Sequence, residues 1–334
     1  MPIVTQREQV LGIYREAAEK GWVLPCFCSE NLTTTEAVLD AALRHADRIG
    51  FAGLPVIVAI TCRYGHRSQA VNYTHTRQWD IGLRLFLSDL EVLAGPDSPY
   101  RHLRVMVHLD HIQFDDDQAL LSWDFSRFSS IMFDASKRPF DENIRLTSAF
   151  MRARGHEIVV EGACDEIYDA TGAEHGDLTT PERAERFCAQ TGVDLIVANL
   201  GTEHRASGAD LTYHREAARQ IRARIGSRIV LHGASSVPVD RIARLSEDGV
   251  CKVNLWTALE RDASPVLFEW MVRNASATAG KATAAKLKQE GLLGEAAVCT
   301  ESADLSHFTT VARQERVFGE MVRIASECFA VWMR

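Results

Sequence analysis

Three histidines in this chain follow apolar segments, and their side chains have the chemistry to share one metal ion. His111 follows segment 104–110, His204 follows segment 193–200, and His232 lies at the end of segment 228–234. Each segment predicts a buried parallel strand, and parallel strands of a closed barrel end at one common rim. Three neutral imidazoles leave one position of a metal ion open to water or substrate. The pattern predicts a divalent metal that polarises a substrate oxygen.

Asp110 and His108 lie in the same segment as the first of these histidines. A carboxylate beside a metal can move the proton of the oxygen that the metal binds, so we favour Asp110 as a proton shuttle. The alternative is that Asp110 only orients His111. For His108 we favour a hydrogen-bonded core histidine over a functional role.

Polar residues after the seventh and eighth strand-like segments indicate an anion site. Gly233 and Ser235 precede a helical pattern, and Asn254 and Thr257 end the next segment. Glycine lets the backbone approach a ligand, and barrels often bind phosphate with the loops after strands seven and eight. The alternative is that these residues are helix caps.

The elements that must position these residues alternate between strand and helix. The strand-like segments lack clean polar alternation, as expected when both faces are covered. They are 23–27, 55–60, 104–110, 128–135, 157–163, 193–200, 228–234 and 250–255. The clearest helical patterns are 33–48, 76–93, 141–154, 181–191, 213–225 and 238–247, and segment 256–273 is predicted to be the eighth helix of the barrel. Eight alternations predict a (β/α)8 TIM barrel over residues 1–273.

Residues 274–334 exceed what a barrel needs and form a predicted helical C-terminal extension. Apolar residues recur at helical spacing over 307–334. We expect this helix to pack on the barrel or on a partner subunit.

Composition excludes several classes of protein. The 334 residues carry 37 basic and 45 acidic side chains, for a net charge of −8. That balance argues against nucleic-acid binding and against attraction to anionic membranes. No segment is long and apolar enough to predict a membrane span or a signal core. The eight cysteines are scattered, which favours reduced thiols and a cytoplasmic location.

Beyond the individual residues, a series of motifs resembles the class II, metal-dependent ketose-bisphosphate aldolases. The resemblance covers roughly residues 5–270 in unbroken order. Its motifs are His108-Leu109-Asp110-His111, Ile131–Ser136, Pro139–Ile144, Val160-Glu161, Gly201-Thr202-Glu203-His204, Leu231–Ser235 and Lys252-Val253-Asn254.

The resemblance implies a TIM barrel enzyme that makes or breaks a C–C bond through a zinc-stabilised enediolate. It implies one Zn²⁺ on His111, His204 and His232, with Asp110 as the acid/base, and Asp134 close to the metal. It implies substrate or phosphate contacts from Asn31, Gly233, Ser235, Asn254 and Thr257. It also implies a homodimer or homotetramer.

Some positions depart from the family pattern. Arg205 replaces a glycine after the second zinc histidine, and Trp256 replaces a small residue or an aspartate at the expected phosphate corner. Arginine could clamp a phosphate or carboxylate, or it could fill the pocket. In the loop 171–176, Glu174 is our candidate base for the carbon-bound proton, with a solvated loop residue as the alternative. The loop after strand two, with Arg63, Tyr64 and Arg67, could meet an anionic tail or could be solvated.

These features predict a metal-dependent aldolase acting on a ketose phosphate or a related polyol, a small anionic or polyol molecule. An epimerase or isomerase that uses the same zinc site by retro-aldol chemistry is the first alternative. A non-enzymatic binding or assembly module is the second, but it would be expected to lose metal ligands. Asp110 and all three histidines are present.

Overall fold

Eight parallel strands close into a barrel in the order of the chain, and the last strand pairs with the first. The computed structural model describes residues 3–65, 67–167, 177–202, 213–234, 237–238 and 240–334. The strands are β1 (Leu24–Cys28), β2 (Pro55–Thr61), β3 (Arg104–Gln113), β4 (Ser130–Asp134), β5 (Val159–Ala163), β6 (Leu195–Val197), β7 (Ile229–Leu231) and β8 (Val250–Leu255). The predicted TIM barrel is confirmed.

The strands are buried along their whole length. Arg104, the first residue of β3, is the one strand residue in the described part of the chain that is not fully buried. Because helices cover the outside and side chains fill the inside, neither face of a strand meets water. This burial explains why the strand segments show no polar alternation.

Helices lie between the strands and beyond them. The described helices are α1 (Arg7–Glu19), α2 (Leu32–Ile49), α3 (Gln69–Asn72), α4 (Trp79–Leu93), α5 (Gln118–Leu121), α6 (Phe140–Arg154), α7 (Pro181–Thr191), α8 (Arg215–Ile225), α9 (Thr257–Arg273), α10 (Ala275–Ala279), α11 (Lys281–Gln289), α12 (Leu305–Phe308) and α13 (Thr310–Trp332). No described helix is both long and apolar enough to cross a membrane. Helix α7 begins as its sequence predicts, with Thr180 accepting a hydrogen bond from the amide of Arg183 and Pro181 in the first turn.

The helix predicted over 238–247 is wrong. In the described residues of this segment, turns lead into a short 3-10 helix at Leu245–Asp248. The Trp332 indole donates a hydrogen bond of 2.8 Å to the carbonyl of Ile242, which ties the segment to the end of α13. Packing against α13 therefore outweighs the local helical preference.

Helix α1 lies across one end of the barrel. It contacts β5 and β8, which are not neighbours. Its Arg7 donates hydrogen bonds to Gly155 and Asp194, which precede β5 and β6. Since these loops lie at the amino ends of the strands, α1 closes the end opposite to the rim where barrel enzymes carry their active sites.

Helix α13 covers the wall that we assigned to α9. Of the residues of α9, only Leu259 and Ala263 are buried, so α9 is not the eighth outer helix that its position predicts. Helix α13 contacts α2, α9 and β1. Its Phe329 ring lies 5.6 Å from Phe27 of β1 and 5.8 Å from His45 of α2. Helix α13 thus shares the hydrophobic core of its own barrel, whereas Ala275, Ala284 and Leu293 of the extension form a separate small cluster. The domain boundary at residue 273 stays a prediction.

Candidate active site

A bulge in β3 places Asp110 and His111 on the same side of the barrel wall. The sequence predicts a strand that ends at residue 110, but β3 runs to Gln113. Its pairing with β4 shifts register between Leu109 and Ile112, and His111 has a φ of 47°. In a regular strand, neighbouring side chains point to opposite faces, and an extra residue in a bulge breaks that rule. His111 therefore lies at a bulge and not at a strand end.

Two histidines and one aspartate come together in this part of the barrel. His111 Nε2 lies 3.3 Å from His232 Nδ1. One nitrogen of each ring and one carboxylate oxygen of Asp110 all lie within 4.8 Å of one another, and all three residues are buried. Imidazole nitrogen and carboxylate oxygen are ligands that suit zinc and other divalent metals. The donor set fits a metal ion.

A carboxylate orients the ring of His111, and a hydroxyl holds the backbone of His232. His111 Nδ1 lies 3.0 Å from Asp134 Oδ2. Because an ionised carboxylate only accepts, Nδ1 carries the proton and Nε2 presents its lone pair to the cluster. The Thr202 hydroxyl donates a 2.6 Å hydrogen bond to the carbonyl of His232. Asp134, which we expected close to the metal, thus holds a candidate ligand.

The same contacts decide the charges of the carboxylates. Burial by itself raises the pKa of Asp110, but His111, the hydrogen bond from His108 and His232 hold this pKa well below its usual range. Burial lowers the pKa of His111, but Asp110 and Asp134 raise it above its ordinary value. Burial also raises the pKa of Asp134, yet the hydrogen bond with His111 brings it to about 2. Both carboxylates are therefore charged at neutral pH, which suits a cation site.

Tyr64 covers one face of His111. The two rings are stacked, with centroids 4.0 Å apart and planes within 3° of parallel, and Tyr64 is buried. The sequence places Tyr64 in the loop after β2, where we expected contacts with substrate or solvent. No local pattern indicates this stacking, because Tyr64 lies in the loop after β2 and His111 lies within β3.

Below the cluster, His108, Glu161 and Lys252 fill the barrel interior. His108 is fully buried and hydrogen bonded to Ser130 and Asp110, as expected for a core histidine. Lys252 Nζ donates a 2.6 Å hydrogen bond to Glu161 Oε1, and both side chains are fully buried. Burial lowers the pKa of Lys252, but the carboxylates of Glu161 and Asp110 raise it above its ordinary value. Lys252 is thus a charged lysine in an ion pair.

The end of β8 carries buried polar groups of a different kind. Asn254 is 7% exposed, and neither its amide nitrogen nor its amide oxygen has a hydrogen-bond partner among the described residues. The buried indole N–H of Trp256 also has no partner there. Buried polar groups without partners are rare and unfavourable. These atoms are therefore candidate contacts for a substrate.

The remaining predicted substrate residues that the structure describes are Asn31, Thr257 and Gly233. Asn31 is exposed and caps α2, its side-chain oxygen accepting from the amide of Thr34 at 3.2 Å. Thr257 is half-buried at the start of α9. Gly233 has a φ of 69°, a conformation that favours glycine, directly after His232.

The cations of the loop after β2 are paired with carboxylates of the protein. Arg67 donates two hydrogen bonds to Glu30, one of them of 2.8 Å to Oε1. Its guanidinium carbon also lies 5.6 Å from the centroid of the Trp256 ring. Arg63 pairs with Asp117 at 3.3 Å. Neither arginine therefore offers an uncompensated charge to a substrate.

Four predicted site residues lie outside the described residues. They are Glu174, His204, Arg205 and Ser235. The structure thus brings together Asp110, His111 and His232. The role of His204 as a third metal ligand stays a prediction.

The closed barrel carries a buried histidine–aspartate cluster whose donor atoms could hold a metal ion. The family model described as "Fructose-bisphosphate aldolase class-II" matches residues 8–307 of this chain. The chain belongs to this family, which supports an aldolase-type function and a lyase activity. The resemblance seen in the sequence motifs is confirmed.

Solved structures share the whole fold. The fructose-bisphosphate aldolase from Campylobacter jejuni is 16% identical to this chain and has a TM-score of 0.73, with 99% of this chain and 95% of that chain covered. The YdjI aldolase from Escherichia coli K12 is 20% identical and has a TM-score of 0.62, with 96% and 94% covered. At these identities the similarity shows the fold alone.

Proposed function

We propose that this protein is a zinc-dependent aldolase that makes or breaks a C–C bond in a ketose phosphate or a related polyol. The observation that carries the proposal is the buried cluster of Asp110, His111 and His232, whose ligand atoms lie within 4.8 Å of one another. Membership of the class II aldolase family supports the same reaction class.

His111 and His232 would hold the metal ion together with His204, the proposed third ligand. When bound, a divalent ion supplies a Lewis acid that polarises a carbonyl and stabilises the negative charge of an enediolate. Asp134 fixes the ring of His111 through its 3.0 Å contact with Nδ1. The protein's contribution is thus to keep the lone pair of Nε2 directed at the site.

Asp110 is the proposed acid/base. Its low pKa keeps the carboxylate ionised, ready to accept a proton. In the cleavage direction it accepts the proton of the substrate hydroxyl as the C–C bond breaks. In the condensation direction it returns that proton to the new hydroxyl oxygen. Glu174 is the proposed group that moves the carbon-bound proton of the donor fragment.

The substrate is proposed to be a small anionic or polyol molecule. The amide of Asn254 and the indole N–H of Trp256, which have no hydrogen-bond partner among the described residues, support hydrogen bonds to hydroxyl or phosphate oxygens. Proposed contacts to a phosphate come from Arg205, Gly233, Ser235 and Thr257. The capping role of Asn31 leaves its amide N–H2 group as its proposed contact with the substrate.

The test is an aldol assay of the purified protein with zinc and with a chelator. Ketose monophosphates, ketose bisphosphates and unphosphorylated ketoses are incubated separately, and the products are identified by mass spectrometry. A ketone and an aldehyde whose masses sum to that of the substrate support the proposal. A stereoisomer of unchanged mass indicates an epimerase, and activity that survives complete metal removal contradicts the metal mechanism.

The variant His232→Ala tests the site itself. We expect the loss of bound zinc and of activity, because the cluster loses one of its two described nitrogen ligands. The control is His156→Ala, since the His156 side chain is 73% exposed and remote from the cluster. Equal activity in both variants would contradict the assignment.

We further propose that copies of this chain associate and that the protein acts in the cytoplasm. Phe268, Leu305 and Val311 expose 71%, 70% and 69% of their surface on α9, α12 and α13, and such apolar exposure supports a contact between copies. All eight cysteines are free, and seven are buried, which supports a reducing environment. Light scattering of the purified protein tests the association.

A further inference from the structure

A chain of buried polar side chains leads from β8 across the barrel to Asp110. Lys252 Nζ lies 2.6 Å from Glu161 Oε1, and Glu161 Oε2 lies 3.6 Å from His108 Nε2. His108 Nε2 in turn lies 3.4 Å from Asp110 Oδ1. On the other side of the ring, His108 Nδ1 lies 2.8 Å from the hydroxyl of Ser130. The chain thus ends on the proposed acid/base.

Stability is a poor explanation for this arrangement. Lys252 and Glu161 form a fully buried ion pair, and apolar residues of similar volume often stabilise a core equally well or better. Glu161 Oε2 has no hydrogen-bond partner among the described residues, so the pair is not even fully satisfied. A buried network that is kept in spite of this cost calls for a role in the site.

The neighbours of His108 select one tautomer of its ring. Two carboxylates, those of Asp110 and Glu161, face Nε2. Because carboxylates accept hydrogen bonds, a proton on Nε2 is favoured, and Nδ1 then accepts from the hydroxyl of Ser130. With the opposite tautomer, the lone pair of Nε2 would face two negative charges.

The hydrogen bond from His108 also distinguishes the two oxygens of Asp110. Oδ1 is held by His108 at 3.4 Å. Oδ2 lies 3.7 Å from the thiol of Cys28, and a thiol is a weak donor. Oδ2 is therefore the oxygen that can exchange a proton with a substrate.

We propose that His108 is a positioning residue for Asp110 and that the buried Lys252–Glu161 pair holds His108 in the tautomer that donates to Oδ1. This inference rests on the proposed function for its kinetic consequences. The tautomer itself is a property of the folded protein and can be measured without any reaction.

The first experiment reads the tautomer directly. The protein is labelled with ¹⁵N-histidine, and the His108 signals are assigned by their loss in His108→Gln. We expect a proton on Nε2 and none on Nδ1. A proton on Nδ1 of the folded protein would overturn the proposal whether or not the protein is an aldolase, and the aldol assay above decides the function separately.

The second experiment removes the ion pair without leaving a buried charge. The double variant Lys252→Met/Glu161→Gln keeps the volume of both side chains and deletes both charges. We expect it to fold, to bind the wild-type amount of zinc, and to lose about 10- to 100-fold in kcat with little change in KM, the range seen when groups that orient site residues are removed. Wild-type kcat in the folded, zinc-loaded double variant would contradict the proposal.

A matched pair of variants tests the hydrogen bond itself. His108→Gln retains an N–H donor that can reach Asp110, whereas His108→Leu does not. We expect the kcat of His108→Gln to be at least several times higher than that of His108→Leu when both variants contain the same amount of zinc. His45→Leu, at a buried histidine under α13, is the control for loss of a core imidazole and should keep wild-type kcat per folded molecule. Equal losses in the Gln and Leu variants would show a packing role only.

Discussion

Two groups of buried polar side chains lie in the barrel, one below the candidate metal site and one at the end of β8. In the first group, His108, Asp110 and Lys252 each contact a partner within 3.4 Å. In the second group, the amide of Asn254 and the indole N–H of Trp256 have no partner in the described ranges of the chain. The polar atoms of Asn254 and Trp256 are buried, like those of the first group, but they lack the hydrogen bonds that His108, Asp110 and Lys252 make.

Under the proposed function, this difference separates the groups proposed to perform the chemistry from the groups proposed to bind the substrate. A proton acceptor works best when its orientation is fixed before the substrate arrives, because no energy is then spent on reorganisation. A group that binds the substrate must keep its hydrogen bonds available. The comparison therefore predicts that changes in the first group lower kcat, while changes in the second group raise KM.

The largest expected effect is that of Asp110→Asn. An amide cannot accept the substrate proton in the same way, so we expect kcat to fall by about 10²–10⁴-fold, the usual contribution of a general acid/base. Bound zinc, measured by elemental analysis, should persist on the histidines. A variant that keeps wild-type kcat would remove Asp110 from the mechanism.

Tyr64 offers a test of how rigidly the metal ligands are held. Tyr64→Ala removes the ring stacked on His111, and we expect a loss of about 10- to 100-fold in zinc affinity, as for other groups that orient ligands. Tyr64→Phe keeps the ring and should bind zinc as the wild type does. Competition with a chelator measures both variants, and equal affinities of the Ala and Phe proteins would assign no positioning role to the ring.

Asn254→Leu sharpens the comparison in the opposite direction. The substitution replaces a buried amide that lacks a partner in the described part of the chain with an apolar side chain of similar size. The free energy of unfolding should therefore be retained or increased by about 1–3 kcal/mol. We expect KM to rise about tenfold, the value of roughly one hydrogen bond. A variant that is less stable and binds substrate normally would show that the amide has a structural partner instead.

The smallest expected effect is that of Trp256→Phe. It removes the indole N–H and keeps an aromatic ring beside Arg67, so we expect KM to rise only a few-fold, about 1 kcal/mol or less. Trp270→Phe, in the last turn of α9 and far from its first residue Thr257, is the matched control for a tryptophan substitution. Equal KM values in the two variants would exclude the indole N–H from substrate binding.

Much of the fold follows from local pattern. Short apolar segments alternate with helical ones, and that alternation is sufficient for a barrel whose strands match the predicted ones to within a few residues. Helix α7 has its cap and its proline where the sequence puts them. Helix α1 was not assigned from the sequence, and the helix predicted over 238–247 did not form, because packing on the barrel end and on α13 decides both segments.

The sequence by itself determined which residue types follow which strands. It therefore indicated a metal site on His111, His204 and His232 with Asp110 beside it as the acid/base, and a family resemblance that the match over residues 8–307 confirms. These inferences rest on short-range order, because a histidine after a buried strand needs no distant partner to be recognised.

Only the tertiary structure decided how these residues meet. The bulge that turns both Asp110 and His111 inward depends on the pairing of β3 with β4. The contact between Glu161 and Lys252 joins residues 91 positions apart. The closure of the barrel sets such distances. The local sequence pattern does not indicate which strands lie opposite each other across the barrel interior.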